Sequence, residues 1–299
     1  MSDSLERATS RLNNIRAIEP LLSAMRTISL GTWQMALRTL AKLDIFEDHL
    51  ESVMSEVIPF VDRKKIQKNT LTTKIPQNTE SIILIIGTER GLCGRFNKNL
   101  IENSITWIEE NGFTTYKIWS MGSRLRKELE KAEIDVDWHQ NLPASNLVSY
   151  HEVYRLGNKI RDQFNLGLIN QFFVLSNQIS KGGNYNFHVV NCFANQNLDL
   201  NNQHSAEDGA WPPPIFETSP ESVYNKTIPH ILASGLYKTF IKSSAAEHAT
   251  RFSLMQDAKD NAGEIIAKLN LIINTERKKQ ITMEMQELAS GAGLLEKNQ

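Results

Sequence analysis

The sequence predicts an α/β protein: a long antiparallel coiled coil of N- and C-terminal helices, with a Rossmann-like α/β domain inserted between them. Three observations predict it. Apolar residues near both ends of the chain recur at alternating three- and four-residue steps, the spacing of a helical seam. The middle carries short apolar runs separated by helical stretches, as expected of strands buried on both faces of a mainly parallel sheet. Each terminal helix is long and has one apolar stripe to cover, so each needs a partner, and the nearest is the other.

Residues 1–58 read as one helical segment. Leu5, Ala8, Leu12 and Ile15 keep the three-four step, and after one slip Ile18, Leu21, Met25 and Ile28 resume it, so these last four are the expected seam. Pro20 lacks a backbone donor and predicts a bend or local break. Pro59 is the expected terminator. Residues 59–80 are mostly polar and aperiodic, a linker. Residues 81–210 form the inserted domain. Its strands are SIILII, closed by Gly87, then YKIWSM, QFFVLSN and NFHVVNCF, with helices over 97–111, 123–132 and 149–165. A loop rich in Asn, Gln, Ser and Pro covers 196–220. Within 211–299 the chain turns helical after Pro220, with a seam of Met255, Ala258, Ala262, Ile265, Leu269 and Ile272. Continued past Ile272, that seam lands on Glu276 and Lys279 and fails. Beyond lie the small residues Ala289, Gly291, Ala292 and Gly293, and the failing seam reads either as fraying at a chain end or as a helix that runs on past its partner.

The chain has 299 residues, 40% hydrophobic and 22% charged, with a formal net charge of −1. That composition supports a sizeable core and argues against disorder. It gives no global basic excess for nucleic acid. The two cysteines, Cys93 and Cys192, are far apart and set up neither a disulfide framework nor a metal site. The N-terminus has no signal-peptide core, and the run Ile82 to Ile86 is too short to span a bilayer.

Candidate chemistry is sparse. Gly87 to Gly94 follows a strand but fits neither a dinucleotide-binding nor a P-loop spacing, so it reads as a tight turn with Cys93 as a packing residue. Glu247 and His248 lack the H-E-x-x-H arrangement and read as part of a surface salt-bridge network or a contact to another subunit. Arg7, Arg11, Arg16, Arg251, Arg277, Lys278 and Lys279 read first as a solvated helix face.

Specific residues carry a family likeness. The C-terminal helix reads Ala246-Glu247-His248-Ala249-Thr250-Arg251-Phe252-Ser253-Leu254-Met255, then Asp260-Asn261-Ala262-Gly263-Glu264, then Asn274, Arg277, Ile281-Thr282 and Glu284. After the first strand comes Arg90-Gly91-Leu92-Cys93-Gly94. Over nearly its whole length the chain resembles the gamma subunits of F-type ATP synthases. The resemblance implies a central shaft that couples ion flow to ATP turnover by rotation and does no bond chemistry itself, with no cofactor. It implies α and β subunits around the coiled coil, and an epsilon subunit and a membrane c-subunit ring beside the globular domain. It also implies a peripheral place on the cytoplasmic face of the plasma membrane. It assigns hexamer contacts to Arg277, Lys278, Thr282 and Glu284, and family-motif roles to Gly91, Leu92, Cys93, Gly94, Glu247, His248 and Arg251. Pro20, Arg95, Lys278 and a first helix poor in Lys depart from the family pattern, as a divergent branch would. Two rival readings remain at this point: a nucleotide-binding enzyme with a Rossmann-like domain, and a coiled-coil scaffold with no rotary role.

Overall fold

A computed structural model describes residues 2–61, 80–113, 115–144, 146–180, 184–192 and 215–291. The expected linker and the Asn/Pro-rich loop fall largely outside these residues, as do Ala292 and Gly293. The described elements are α1 (Ser2–Val57), a 3-10 turn (Ile58–Phe60), β1 (Glu80–Ile86), α2 (Phe96–Glu110) and β2 (Tyr116–Met121). There follow α3 (Ser123–Lys131), β3 (Trp138–Gln140), α4 (Tyr150–Asn165), β4 (Ile169–Ile179), β5 (Tyr185–Asn191) and α5 (Pro220–Gly291). The fold is mixed α/β, with two long helices and one five-stranded sheet. The chain divides into two compact units, Met1–Ile28 with Phe252–Gln299, and Ser29–Arg251.

In the first unit, Ala8 and Leu12 of α1 cluster with Leu269 and Ile273 of α5, and Leu5, Ile15, Ile265 and Ile266 flank them. The inward positions of α1 are Leu5, Ala8, Leu12, Ile15, Glu19, Leu22 and Arg26, an unbroken three-four progression. This departs from the expected seam. Ile18, Leu21 and Ile28 are exposed, at 50%, 64% and 51%, and Met25 is half-buried. Following hydrophobicity alone required a slip after Ile15. The helix instead keeps its phase and accepts polar residues in the stripe. Arg26 is accommodated there because its Nη1 donates to Gln256 Oε1 at 2.7 Å and its guanidinium lies over the Phe252 ring, a cation–π contact.

The α5 stripe shows a related departure. Met255, Ala262 and Leu269 are buried, and Ala258 and Ile265 are half-buried. Ile272 is exposed, and Ile273 takes the inward place at 5% exposure. The chain offers isoleucine doublets at 265–266 and 272–273, and hydrophobicity cannot say which member of a doublet faces in. α1 runs helically through Pro20 without a break. Pro20 is exposed, so the carbonyl that it leaves unpaired is open to water. The 3-10 turn carrying Pro59 follows α1 directly.

In the second unit the sheet order is β3-β2-β1-β4-β5. β1 lies parallel to both β2 and β4, and β2 parallel to β3. β5 pairs antiparallel with β4. β1 is buried along nearly its whole length because both of its faces are covered. Ile83 and Ile85 pack with Leu100 and Ile101 of α2 and Leu125 and Leu129 of α3. Ile82, Leu84 and Ile86 pack with Val153, Leu156 and Ile160 of α4 and Leu232, Leu236 and Phe240 of α5. α4 begins with a capping box, in which the Ser149 hydroxyl accepts from the Glu152 amide and the Glu152 carboxylate from the Ser149 amide, satisfying two end donors reciprocally. β3 is only three residues long and lies on the sheet edge, too short to leave a run in the sequence.

Still within this unit, Met54 and Val57 of α1 cluster with Tyr224 of α5. Ala36 and Leu43 cluster with Ile241 and Ala245. Descending α1 therefore ascends α5.

The exchanged isoleucines give a direct check of the α5 phase. Leu269→Ala removes a buried side chain and should destabilise the chain by about 2–4 kcal/mol, whereas Ile272→Ala at its exposed position should change stability by under about 0.5 kcal/mol. Urea unfolding followed by helical circular dichroism measures both.

Candidate functional site: the loop after β1 held by α5

The carboxyl end of β1 is where the sheet's connections reverse direction. β1 leads through α2 to β2 on one side, and the chain later returns through α4 to β4 on the other. In open α/β sheets that position is the usual ligand crevice. Here it is filled by the chain itself.

The loop is anchored first at its glycines. A Cβ on Gly87 would lie 2.7 Å from Leu125 Cβ and 2.9 Å from Asn97 Oδ1, so only glycine fits between β1 and the start of α3. Asn97 then ties the turn together: its Oδ1 accepts from the Thr88 amide at 3.1 Å and its Nδ2 donates to Thr88 Oγ1 at 2.9 Å. The free amides at the start of α3 are also met from this loop. Arg124 N and Leu125 N donate to the Thr88 carbonyl, and Ser123 N and Oγ donate to the Glu89 carboxylate at 2.9 and 2.5 Å. A carboxylate at a helix N-terminus is favoured by the helix dipole. Burial pushes the Glu89 carboxyl up, but Ser123, the Leu142 amide and nearby His139 outweigh it and hold it below the usual range.

The second anchor is on α5. Arg251, only 4% exposed, sends Nη2 to Glu247 Oε1 at 2.5 Å and Nη1 to His248 Nδ1 at 3.2 Å. Its Nε reaches the Gly91 carbonyl at 3.3 Å, and Nη2 also reaches the Arg90 carbonyl at 3.4 Å. One guanidinium thus joins a turn of α5 to the loop after β1. Arginine has only donors, so His248 Nδ1 must accept, which puts its proton on Nε2. Burial and the neighbouring Arg251 charge push the His248 pKa down to about 4, keeping the ring neutral. Burial works against the charge on Arg251, but the Glu247 carboxylate overcomes it and raises its pKa. Burial lifts the Glu247 carboxyl, and Arg251 only partly pulls it back.

Of the family-motif residues, Gly91, Cys93, Glu247, His248 and Arg251 meet in a largely buried tie, while Leu92 and Gly94 are exposed. Glu247, His248 and Arg251 are each 9% exposed or less, which corrects the reading of a surface network and a solvated helix face. The loop that buries them lies about 160 positions earlier in the chain, a distance no local pattern reports. Cys93 is buried against Phe96 and Ala246, and its thiol contacts the Gly91 carbonyl rather than a base. Burial pushes that thiol up to about 12, so it stays protonated and unreactive near neutrality. Gly94 adopts a left-handed φ of 57°, and so does Leu92 at 66°, a conformation unusual for a residue with a Cβ. Leu92 is exposed. The remaining space by Gly87, Pro143, Phe240, Ser243, Glu247 and His248 is a cavity of about 30 Å³, room for water and far below the few hundred Å³ of a nucleotide pocket. Among the described residues, no group of three His, Cys, Asp or Glu side chains could hold a metal ion. No helix there is long and apolar enough to cross a membrane.

The expected hexamer-contact residues, Arg277, Lys278, Thr282 and Glu284, are all exposed on the distal part of α5. Their local contacts stay within the helix: Thr282 Oγ1 donates to the Lys278 carbonyl and Gln280 to Glu284. The apolar side chains of Ile281, Met283, Met285 and Leu288 are exposed beside them.

The family model described as ATP synthase matches residues 4–295. The chain belongs to the ATP synthase gamma family. It is 24% identical to the ATP synthase gamma chain of Parabacteroides distasonis, over 97% of this chain and 99% of the relative. It is 25% identical to that of Staphylococcus aureus, over 98% and 99%. Among solved structures, a chain of the Euglena gracilis mitochondrial ATP synthase (OSCP, F1 and c-ring) superposes with a TM-score of 0.60 at 13% identity, covering 99% of this chain and 95% of that one. A chain from the central stalk and c-ring of the Tetrahymena thermophila mitochondrial enzyme gives 0.54 at 17% identity, covering 80% and 99%. These two likenesses show that the fold is shared. Within the family, the loop after β1 and the Glu247–Arg251 turn are one buried joint in this chain, with no room for a nucleotide there.

Two outcomes follow from the tie. Arg251→Ala strands the Glu247 carboxylate in a buried site and should destabilise the chain by about 3–5 kcal/mol, read by urea unfolding. His248 must gain a proton on unfolding wherever pH lies between its folded and ordinary values. The unfolded state then binds more protons, so stability falls as pH drops from 6.5 toward about 4, by about 3 kcal/mol in all. The difference in unfolding free energy between the wild type and His248→Asn, measured across that range, should carry this slope.

Proposed function

We propose that this chain is the central rotor shaft of an F-type ATP synthase, coupling ion flow through a membrane ring to ATP synthesis or hydrolysis in an α/β hexamer. The observation that carries the reading is the family match over almost the whole chain, and the structural neighbours described as a rotor and a central stalk agree with it. The shaft is an antiparallel coiled coil of residues 1–58 and 211–299, with residues 59–80 as linker and 81–210 as a Rossmann-like insert. The antiparallel sense is supported in each unit by the clusters that set low α1 numbers against high α5 numbers.

On this reading the chain performs no catalysis itself and works at the cytoplasmic face of the plasma membrane as a peripheral component. The coiled coil meets the α and β subunits, and the insert meets the epsilon subunit and the c ring. The shaft presents different faces to the three β subunits, so each rotational angle favours a different nucleotide affinity in each of them. Coupling is then a set of differential contact energies. Stiffness comes from the seam of Met255, Ala262 and Leu269. Arg277, Lys278, Thr282 and Glu284 make the hexamer contacts. Their exposure leaves the Arg277 guanidinium free to form charge-assisted hydrogen bonds with carboxylates, which break and reform at each step. The buried Arg251 tie holds α5 to the insert, so rotation of the insert turns the helix.

The test is assembly. A tagged chain should bring down α, β and epsilon subunits in a fixed complex, and a monomeric chain recovered without them would sink the proposal. Within the complex, Arg277→Ala should lower coupled ATP synthesis about tenfold, the worth of one charge-assisted hydrogen bond, while leaving the unfolding of the isolated chain unchanged.

A further inference from the structure

We infer that Lys238, held between Asp44 and Glu47, sets the register of α1 on the α/β domain. The three residues lie within one unit. Lys238 Nζ reaches Glu47 Oε2 at 2.5 Å and Asp44 Oδ1 at 2.8 Å, and the Lys238 and Glu47 side chains are mostly covered, at 28% and 22% exposure. Glu47 is not a surface residue that happens to find a lysine. In this unit the inward positions of α1 include Ser29, Trp33, Ala36, Leu40, Leu43, Glu47, Leu50, Met54 and Val57, with Thr32 buried beside them, a three-four progression in which Glu47 takes a place flanked by Leu43 and Leu50.

α5 is fixed to the sheet independently of this contact, through Leu232, Leu236 and Phe240. α1 contributes nothing to the two sheet-face clusters. Its apolar contacts, Ala36 and Leu43 with Ile241 and Ala245, flanked by Trp33 and Ile179, and the Phe46 ring edge-on to Tyr150 of α4, are not directional and do not name a single partner. Apolar seams alone tolerate a shift of one heptad, because the same kinds of side chain meet again. A polar residue at one seam position removes that freedom at some expense of stability. Here a one-heptad slip either way would move Glu47 from Lys238 to Ile231 or Ala245, both aliphatic, leaving carboxylate and ammonium without each other. Lys238 and its two carboxylates are therefore positioning residues. Their consequence for rotation rests on the shaft reading above; the register itself does not.

Spin labels at Ser52 and Lys226, both exposed, report the register in the full-length chain. The native thiols of Cys93 and Cys192 are buried and their pKa values raised, so they stay unlabelled. Pulsed electron–electron distance measurement should give one distance population in the otherwise native chain. The pair Glu47→Leu with Lys238→Leu should melt at the same or a higher temperature, yet split into more than one distance population, as an axial shift of one heptad, about 10 Å at 1.5 Å per residue, requires. Reversing the charges, with Glu47→Lys, Lys238→Glu and Asp44→Asn, should restore a single population. A single unchanged distance in the Leu pair overturns the proposal. If the Leu pair does not fold, Glu47→Gln with Asp44→Asn keeps the shapes and removes both carboxylates. A broadened distribution there upholds the proposal, and an unbroadened one overturns it. Failure of the chain to assemble with α and β subunits would count against the shaft reading and leave these distances untouched.

Discussion

A guanidinium buried in the last helix holds the α/β unit together at the point where its sheet would otherwise be open. Arg251 bonds along its own helix to Glu247 and His248, and across to the carbonyls of Arg90 and Gly91. Burying such a charge is tolerable only because Nε, Nη1 and Nη2 of the guanidinium each meet an acceptor. The acceptors are fixed by other constraints: Gly87 pressed against Leu125, Asn97 bonded to Thr88, and Glu89 with Thr88 meeting the free amides at the start of α3. The loop could not be presented to Arg251 if any of these were loose.

That arrangement accounts for how a doubly covered parallel sheet can lack a ligand site at its reversal point. The crevice is formed, and the chain's own helix fills it. The free amides at the start of α3, beside this end of β1, are committed to Thr88 and Glu89. This end of the sheet is thereby a seat for α5, held by Arg251.

The helix pairing shows a second use of polar groups. Arg26 with Gln256 in one unit, and Glu47 with Lys238 in the other, interrupt stripes that aliphatic side chains could have completed. Each pairing gives up some burial for a contact that has only one correct partner. Lys238 is held twice, whereas Arg26 bonds Gln256 and lies over Phe252 but leaves its buried Nε without a partner.

The sequence by itself determined the element types and their order: two long helices, a middle of buried strands and intervening helices, and a glycine-bearing turn after the first strand. Those properties are local, since a three-four step, an apolar run and a glycine each act over a few residues. The family was also legible, because the residues after β1 and around Glu247 carry its resemblance as local strings. Tertiary structure decided what no local pattern contains. It kept the α1 stripe in phase through Glu19 and Arg26, where hydrophobicity pointed to Ile18 and Leu21. It chose Ile273 over Ile272, neighbours of identical chemistry separated only by about 100° of helical turn. It placed the three-residue β3 on the edge, turned β5 antiparallel, and buried Arg251 beneath a loop distant in the chain. In each case the deciding term was the partner surface, and a residue's own chemistry does not say which surface it will meet.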